Sequence, residues 1–348
     1  MKVSVVIPVY NDAHNLRNAL AALFRSSHPL HEVIVVDDGS DTPVEEVTAD
    51  FDCELVRLWP NRGVGPARNA GAARASGDVL FHTDSDFLVA ADTIALGVAA
   101  LRERPGVAAV VGNYAAHGGP DTFSSRLKNL VYHHVHVRSD VENFGHFIGN
   151  CGLIRSADFQ ALGGFDAIGP WARCLEDVEL GMRLVRSQRR IVLCPEMQVV
   201  HRREFGLVSL LRSDLFKRAV PWAGLLLRYR GPKLDNCTSA GAGLCVLLTL
   251  GLVATPLLAV LFTASFALLV ALVLVLGVVV LEWPLLRVIG SERGGGFALR
   301  AVGMRFLFHG CCALGLVIGV WRYALLEMDK RRRHDVSAAN QSAALETK

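Results

Sequence analysis

Two aspartates one residue apart, Asp84-Ser85-Asp86, follow the apolar run Val79-Leu80-Phe81. Paired carboxylates at the C-terminal end of a strand can hold a hard divalent cation, and that cation in turn can hold a diphosphate. The chemistry this implies is use of a nucleotide-activated donor. Other polar clusters also follow apolar runs: Tyr10-Asn11-Asp12, Asp37-Asp38-Gly39-Ser40 and Asn61-Arg62-Gly63. Asp-Asp-Gly-Ser is by itself a good turn, because Asp accepts from nearby amides and Gly permits positive φ. Asp38 equally suits accepting hydrogen bonds from a base or ribose. The segment from Asn61 to Ala75 reads as a glycine-containing loop entering a helix at Pro66, with Arg68 in its first turn. A loop and helix N-terminus of this kind favour phosphate.

The elements that must position these tips alternate in type. Strand-like runs at Lys2–Pro8, Glu32–Val36 and Glu54–Leu58 are separated by a helix-like run at Asn15–Ser26 and a weak helix near Glu45. Such alternation predicts an α/β domain with parallel strands and crossover helices, whose ligands gather beyond the strands' C-terminal ends. The 348 residues are 51% hydrophobic and 20% charged, more apolar than a soluble domain of about 200 to 250 residues requires. The excess lies at Gly241–Trp283, where the ionisable groups are Cys245 and Glu282. That length predicts two membrane spans of about 20 residues each. A third apolar stretch, residues 306–326, is interrupted by His309 and Arg322. It reads either as a third span, the reading favoured here, or as an interfacial element that keeps the basic tail Lys330-Arg331-Arg332-Arg333 inside.

Charge and cysteine content narrow the partners. A net charge of +3 without a basic, aromatic-interleaved patch argues against nucleic acid. The eight cysteines form no CxxC pair, which suits reduced core thiols in a reducing compartment. The N-terminus lacks the apolar region and cleavage site of a signal peptide. Lys217, Arg218, Arg228, Arg230 and Lys233 precede the first span, as expected on a cytoplasmic face. The expectation is a multi-pass protein of the inner (plasma) membrane with its α/β domain in the cytoplasm, so that the Asn236-Cys237-Thr238 sequon is fortuitous. The run Tyr132-His133-His134-Val135-His136 reads as a loop or helix near an acceptor rather than a metal cluster, since adjacent side chains diverge. Trp171 and Arg173 suit either an acceptor wall or ordinary packing.

Taken in order, Val3–Asn11, Val36-Asp37-Asp38-Gly39-Ser40, Asn61-Arg62-Gly63 with Ala67-Arg68-Asn69, and Asp84-Ser85-Asp86 resemble the family 2 glycosyltransferases of GT-A fold, in their membrane-anchored bacterial form. The resemblance continues through Gly149-Asn150, Gly163-Gly164-Phe165-Asp166 and Leu175–Leu180 to His201. It covers residues 1–225 and implies there a mixed, mainly parallel sheet with flanking helices; charge and hydropathy add a juxtamembrane basic segment at 226–240, a membrane domain of two to three helices at 241–326, and a disordered basic tail at 327–348. It also implies roles. Asp38 would contact the base or ribose, with Pro8, Tyr10 and Asn11 lining the pocket; Asn61, Gly63, Arg68 and Asp84 would complete the donor site. Asp84, Asp86 and His201 would hold Mg²⁺ or Mn²⁺, Asp86 most directly. Asp177, beside Glu176, would be the general base for an acceptor hydroxyl.

The implied activity is hexosyltransferase-like and inverting. A sugar would move from a UDP- or GDP-sugar to a hydroxyl of a lipid-linked or membrane-proximal saccharide acceptor, in glycolipid or envelope polysaccharide assembly. Two alternatives stand beside it: a polyprenyl-phosphate glycosyltransferase, whose ionised acceptor needs no base, and a non-catalytic membrane scaffold. Where processive synthases carry a Gln-x-x-Arg-Trp motif, this chain has Phe216–Trp222, which argues against processive synthesis.

Overall fold

The computed structural model describes residues 1–169, 171–229 and 240–328, with its last helix running on to Glu346. The sequon, Arg230, Lys233 and the side chains of the basic tail lie outside the described residues.

The chain builds one eight-stranded sheet. Its strands are β1 (Val3–Val9), β2 (Glu32–Asp37), β3 (Glu54–Arg57), β4 (Val79–His82), β5 (Phe87–Val89), β6 (Val107–Tyr114), β7 (Gly152–Arg155) and β8 (Arg190–His201), in the order β3-β2-β1-β4-β7-β6-β8-β5. The first four strands are mutually parallel, as the alternating pattern predicts. The chain then reverses: β7 pairs antiparallel with β4 and β6, and β5 pairs antiparallel with β8. All seven residues of β1 are buried, the signature of a strand covered on both faces. Val3, Val5 and Ile7 join Leu16 and Leu20 of α1 (Ala13–Leu23) on one side. On the other side Val6, Ile34 and Val36 meet Ala67 of α3 (Val64–Ala72). A short α2 (Glu45–Thr48) lies between β2 and β3.

The remaining helices cover the far half of the sheet and tie it to an apolar bundle. They are α4 (Thr93–Glu103), α5 (Phe123–Val137), α6 (Ser156–Ala161) and α7 (Glu176–Arg186). After β8 come α8 (Leu207–Ser213), a π-helical turn (Asp214–Ala219) and α9 (Val220–Tyr229). Then α10 (Ala240–Leu261), α11 (Ala264–Arg293) and α12 (Gly295–Glu346) follow. Three stretches are long and apolar enough to cross a membrane: Ala240–Leu261, Ala264–Arg293 and Gly295–Met328. The first two form a hairpin joined at Phe262 and Thr263, where the Thr263 hydroxyl caps α11 by accepting from Phe266 N–H.

Leu127 and Leu130 of α5, together with Phe205 and Leu210, pack on Leu285, Leu286 and Ile289 of α11 and on Ala301 and Met304 of α12. The sheet domain is therefore docked on the bundle by a shared core. Within the bundle Glu282 accepts from both Arg305 Nε (3.1 Å) and Nη2 (2.8 Å), and lies 2.9 Å from His309 Nε2.

Candidate active site

The sheet's C-terminal edge gathers the acidic tips. Asp84 and Asp86 lie in the connection between β4 and β5, and Phe87 is in register with His201 across the β5–β8 pair. That register brings His201 Nε2 to 3.5 Å from Asp86 Oδ2, with both side chains largely buried. Burial pushes the Asp86 carboxyl up, but the hydrogen bond and charge of His201, with Arg203, outweigh it and hold the group below its ordinary value. Two ligands on adjacent vertices of an octahedral ion with bonds of about 2.1 Å lie about 3 Å apart. The pair therefore fits a divalent cation, and a carboxylate with an imidazole suits Mn²⁺ at least as well as Mg²⁺.

Asp84 is placed differently. Its Oδ1 accepts from Arg68 Nη2 at 2.6 Å, and the other arm of the same guanidinium is ion-paired with Glu176. Arg68 is 2% exposed and Glu176 4%. The expected phosphate ligand Arg68 is thus occupied by two carboxylates, and the expected catalytic Glu176 is sealed beneath the site. Burial pushes the Glu176 carboxyl up to about 8, against the opposing charge of Arg68. Gly149 makes this packing possible: a Cβ there would sit 2.5 Å from Arg68 Nη1.

Asp177 is the half-buried acid of the pair and lies in the first turn of α7. Its Oδ2 accepts from Gly149 N–H at 3.0 Å and its Oδ1 from Val178 N–H at 2.8 Å. Leu175, immediately before, adopts φ 60°, a left-handed conformation that costs a non-glycine residue on the order of 1–2 kcal/mol. The backbone thus spends strain to aim this helix N-terminus.

The donor-side residues form a braced loop. Asp38 accepts from Arg62 N–H (2.8 Å) and Gly63 N–H (2.7 Å), and burial raises its carboxyl despite these bonds. Asn61 donates to the Asp38 carbonyl at 3.0 Å, and its own Oδ1 accepts from Arg173 at 2.9 Å. Gly63 has φ 102° and lies against Arg173, where a Cβ would come within 2.7 Å of Cγ. Asn11, with φ 52°, pairs through its amide with Asp41. Pro8 is buried within β1, while Tyr10 is exposed at the rim. Asp38, Asn61 and Asn11 hold the loops together rather than presenting free side chains, because each spends its polar atoms on a neighbouring loop.

Tyr114 and His82 carried no usable sequence signal, whereas Asn150 lay in the quoted Gly149-Asn150 pair without an assigned role; all three line or underlie the centre. Asn150 Nδ2 donates to the Tyr114 hydroxyl at 2.8 Å. His82, fully buried among Phe147, Phe159 and Phe165, is held neutral by burial and by Arg68. Trp171 is a packing residue whose indole donates to Pro221 O at 3.0 Å. The histidine run lies on α5, where His133 contacts Tyr114 O and His136 contacts Asn113 Oδ1. Among the described residues, one group brings three potential metal-ligand atoms within 4.8 Å, and it lies in the bundle: Cys245, Glu282 and His309. With Glu282 already bound to Arg305 and His309, that group is a satisfied ion cluster.

Comparison with known proteins agrees with the geometry. Residues 4–163 match the family model described as Glycosyl transferase family 2. A curated relative, "Uncharacterized glycosyltransferase YfnE" of Bacillus subtilis, is 40% identical over 100 residues, covering 27% of this chain and 26% of that protein. "Glycosyltransferase AglE" of Haloferax volcanii is 36% identical over 91 residues, 24% of this chain and 30% of that protein. The aligned part thus spans under a third of these relatives. Among solved structures, a mannosyltransferase from Pyrobaculum calidifontis in complex with GDP-Man and Mn²⁺ superposes with a TM-score of 0.58 at 19% identity, over 92% of this chain and 87% of that one. The shared fold extends through the C-terminal helices.

Proposed function

We propose, from the premise that residues 4–163 of this chain belong to glycosyl transferase family 2, that the protein is an inverting, membrane-anchored glycosyltransferase. It moves a sugar from a UDP- or GDP-sugar to a hydroxyl of a lipid-linked or membrane-proximal acceptor. Residues 1–225 form the catalytic domain on the cytoplasmic face of the membrane, and the apolar helices form the anchor. The observation that carries this reading is the β5–β8 register, which sets His201 beside Asp86 at the sheet edge that also holds Asp84 and Asp177.

Asp86 and His201, with Asp84, would hold the divalent cation. When bound, the cation neutralises the negative charge that grows on the departing nucleoside diphosphate. Asp38 steadies the loop at Arg62 and Gly63 against which the nucleotide lies. Asp177, fixed by Gly149 N–H, takes the proton from the acceptor hydroxyl as it attacks the anomeric carbon. Glu176 and Arg68 position Asp84 and the α7 terminus from below.

Calorimetric titration of the detergent-purified chain with UDP and GDP, with and without Mn²⁺, tests the donor site. One nucleotide should bind in a metal-dependent manner, and Asp86→Asn should abolish that dependence and lower transfer by on the order of 10²-fold or more. Asp177→Asn should bind nucleotide normally and lose about 10²- to 10⁴-fold in transfer. Folded protein that binds neither nucleotide overturns the reading, and full transfer by the Asp177 variant reassigns the base.

A further inference from the structure

Three cations converge between the catalytic carboxylates and the bundle without a direct ion pair. Lys128 Nζ lies 3.9 Å from the centroid of the Phe205 ring, and the Arg203 guanidinium lies 5.6 Å from the same ring. Arg218 lies 4.4 Å from the Tyr132 ring, which stacks on Tyr114 at 4.7 Å. Among the described residues none of the three has a carboxylate within ion-pairing distance, whereas Arg57, Arg68, Arg183, Arg189 and Arg305 all do. The three come from separate segments, α5, the loop after β8 and the π-helical turn, so their convergence is a product of the fold. The rings supply cation–π attraction, but like charges gathered together still repel one another, and an anion bound among them would relieve that repulsion. Burial, then repulsion by Arg218 and Arg203, lowers the Lys128 ammonium to about 7, with Asp214 and Asp86 opposing.

Position indicates the source of that anion. Phe205 lies 5.7 Å from His201, ring to ring, so the cations adjoin the proposed donor site. Leu127 and Leu130, flanking Lys128 on α5, are packed on α11 and α12. The cluster thus sits where the catalytic domain meets the anchor, within reach of a lipid head group.

We propose that Lys128, Arg203 and Arg218 bind a phosphate carried by the lipid acceptor, so that the acceptor is a phosphate-bearing lipid rather than a neutral glycolipid; this rests on the transferase reading above. The aromatic shelf of Phe205 and Tyr132 backs the phosphate, and the acceptor's reactive oxygen extends from it towards Asp177.

The test uses the full chain in detergent, titrated with farnesyl phosphate, farnesyl diphosphate and farnesol, and separately with UDP and GDP plus Mn²⁺. The phosphorylated lipids should bind at least about tenfold more tightly than farnesol, as charge-assisted contacts to three cations require. Lys128→Met and Arg218→Gln should each weaken that binding about tenfold and leave nucleotide affinity within about twofold, while Lys128→Arg retains it. Equal binding of farnesol and farnesyl phosphate overturns the proposal. So does loss of nucleotide affinity with farnesyl phosphate binding unchanged in the folded variants, which assigns the cations to the donor diphosphate. Binding of farnesyl phosphate by a protein that binds neither nucleotide upholds the lipid-phosphate site and sinks the transferase reading instead.

Discussion

Arg68 carries more of the site than its sequence context announces. Its guanidinium, 2% exposed, bridges Asp84 and Glu176, so the buried Glu176 carboxyl is tolerated because Arg68 opposes its charge, against repulsion from the partly exposed Asp84. Removing one member of a buried ion network leaves uncompensated charge, which costs about 3–5 kcal/mol. Arg68→Met should therefore lower the melting temperature sharply, and adding Glu176→Gln should recover part of the loss. If Glu176 were instead a reacting group, Glu176→Gln would remove transfer with no change in melting, so thermal melting and turnover measured on one preparation separate the two roles. The sequence displayed the acidic residues themselves, since Asp84-Ser85-Asp86 and Glu176-Asp177 are contiguous. It could not display which carboxylate is spent on a cation, because Arg68 and Glu176 are 108 residues apart. Nor could it show that Asp177 is anchored by Gly149 N–H, a contact that only the fold creates.

At the scale of elements, the parallel half of the sheet was legible because β1, β2 and β4 are largely apolar runs ending in polar tips. The reversal at β7 and the partnership of β5 with β8 were not, since a three-residue β5 carries no period of its own. The α10–α11 hairpin was legible for the opposite reason: its apolar length leaves few other structures open to it. The Glu282 cluster inside it is where local chemistry and element packing meet. Glu282 of α11 binds Arg305 and His309 of α12, with Cys245 of α10 close by, so one carboxylate ties the bundle together. Glu282→Ala should destabilise the bundle by about 3 kcal/mol or more, because Arg305 is left nearly buried without a partner. Treatment with a strong chelator should leave the melting of the wild-type chain unchanged if the cluster is an ion pair. A chelator-induced drop equal to that of the variant would make it a metal site instead.

For the whole molecule, the open choice between a third span and an interfacial element turns on where α12 runs after this cluster. Glu282 lies 18 residues beyond Ala264 and Cys245 lies 16 residues before Leu261, so both stand about 24–27 Å from the hairpin's turn. Against a hydrocarbon core of about 30 Å, that height is the edge nearest the catalytic domain. Beyond His309, α12 stays with that domain. Cys311 Sγ lies 3.9 Å from Leu211 O, Gly315 and Gly319 leave room for Ala219, Val220 and Ala223, and Tyr323 reaches Gly224. Contacts that advance in step along both segments mean that α12 runs alongside the α8–α9 segment, which is itself packed on Trp171, Val178 and Met182. Its opposite face exposes Val317, Val320, Trp321 and Leu325. A helix with one face on the sheet domain and the other apolar face bare suits the membrane interface, an arrangement that would keep the basic tail on the side of the sheet domain. A fluorescent protein fused after Lys348 should therefore glow in a bacterial host, and an exported-only phosphatase at the same position should stay inactive. An active phosphatase would place the tail across the membrane, require α12 to cross it, and separate α12 from α9 in the membrane-embedded state.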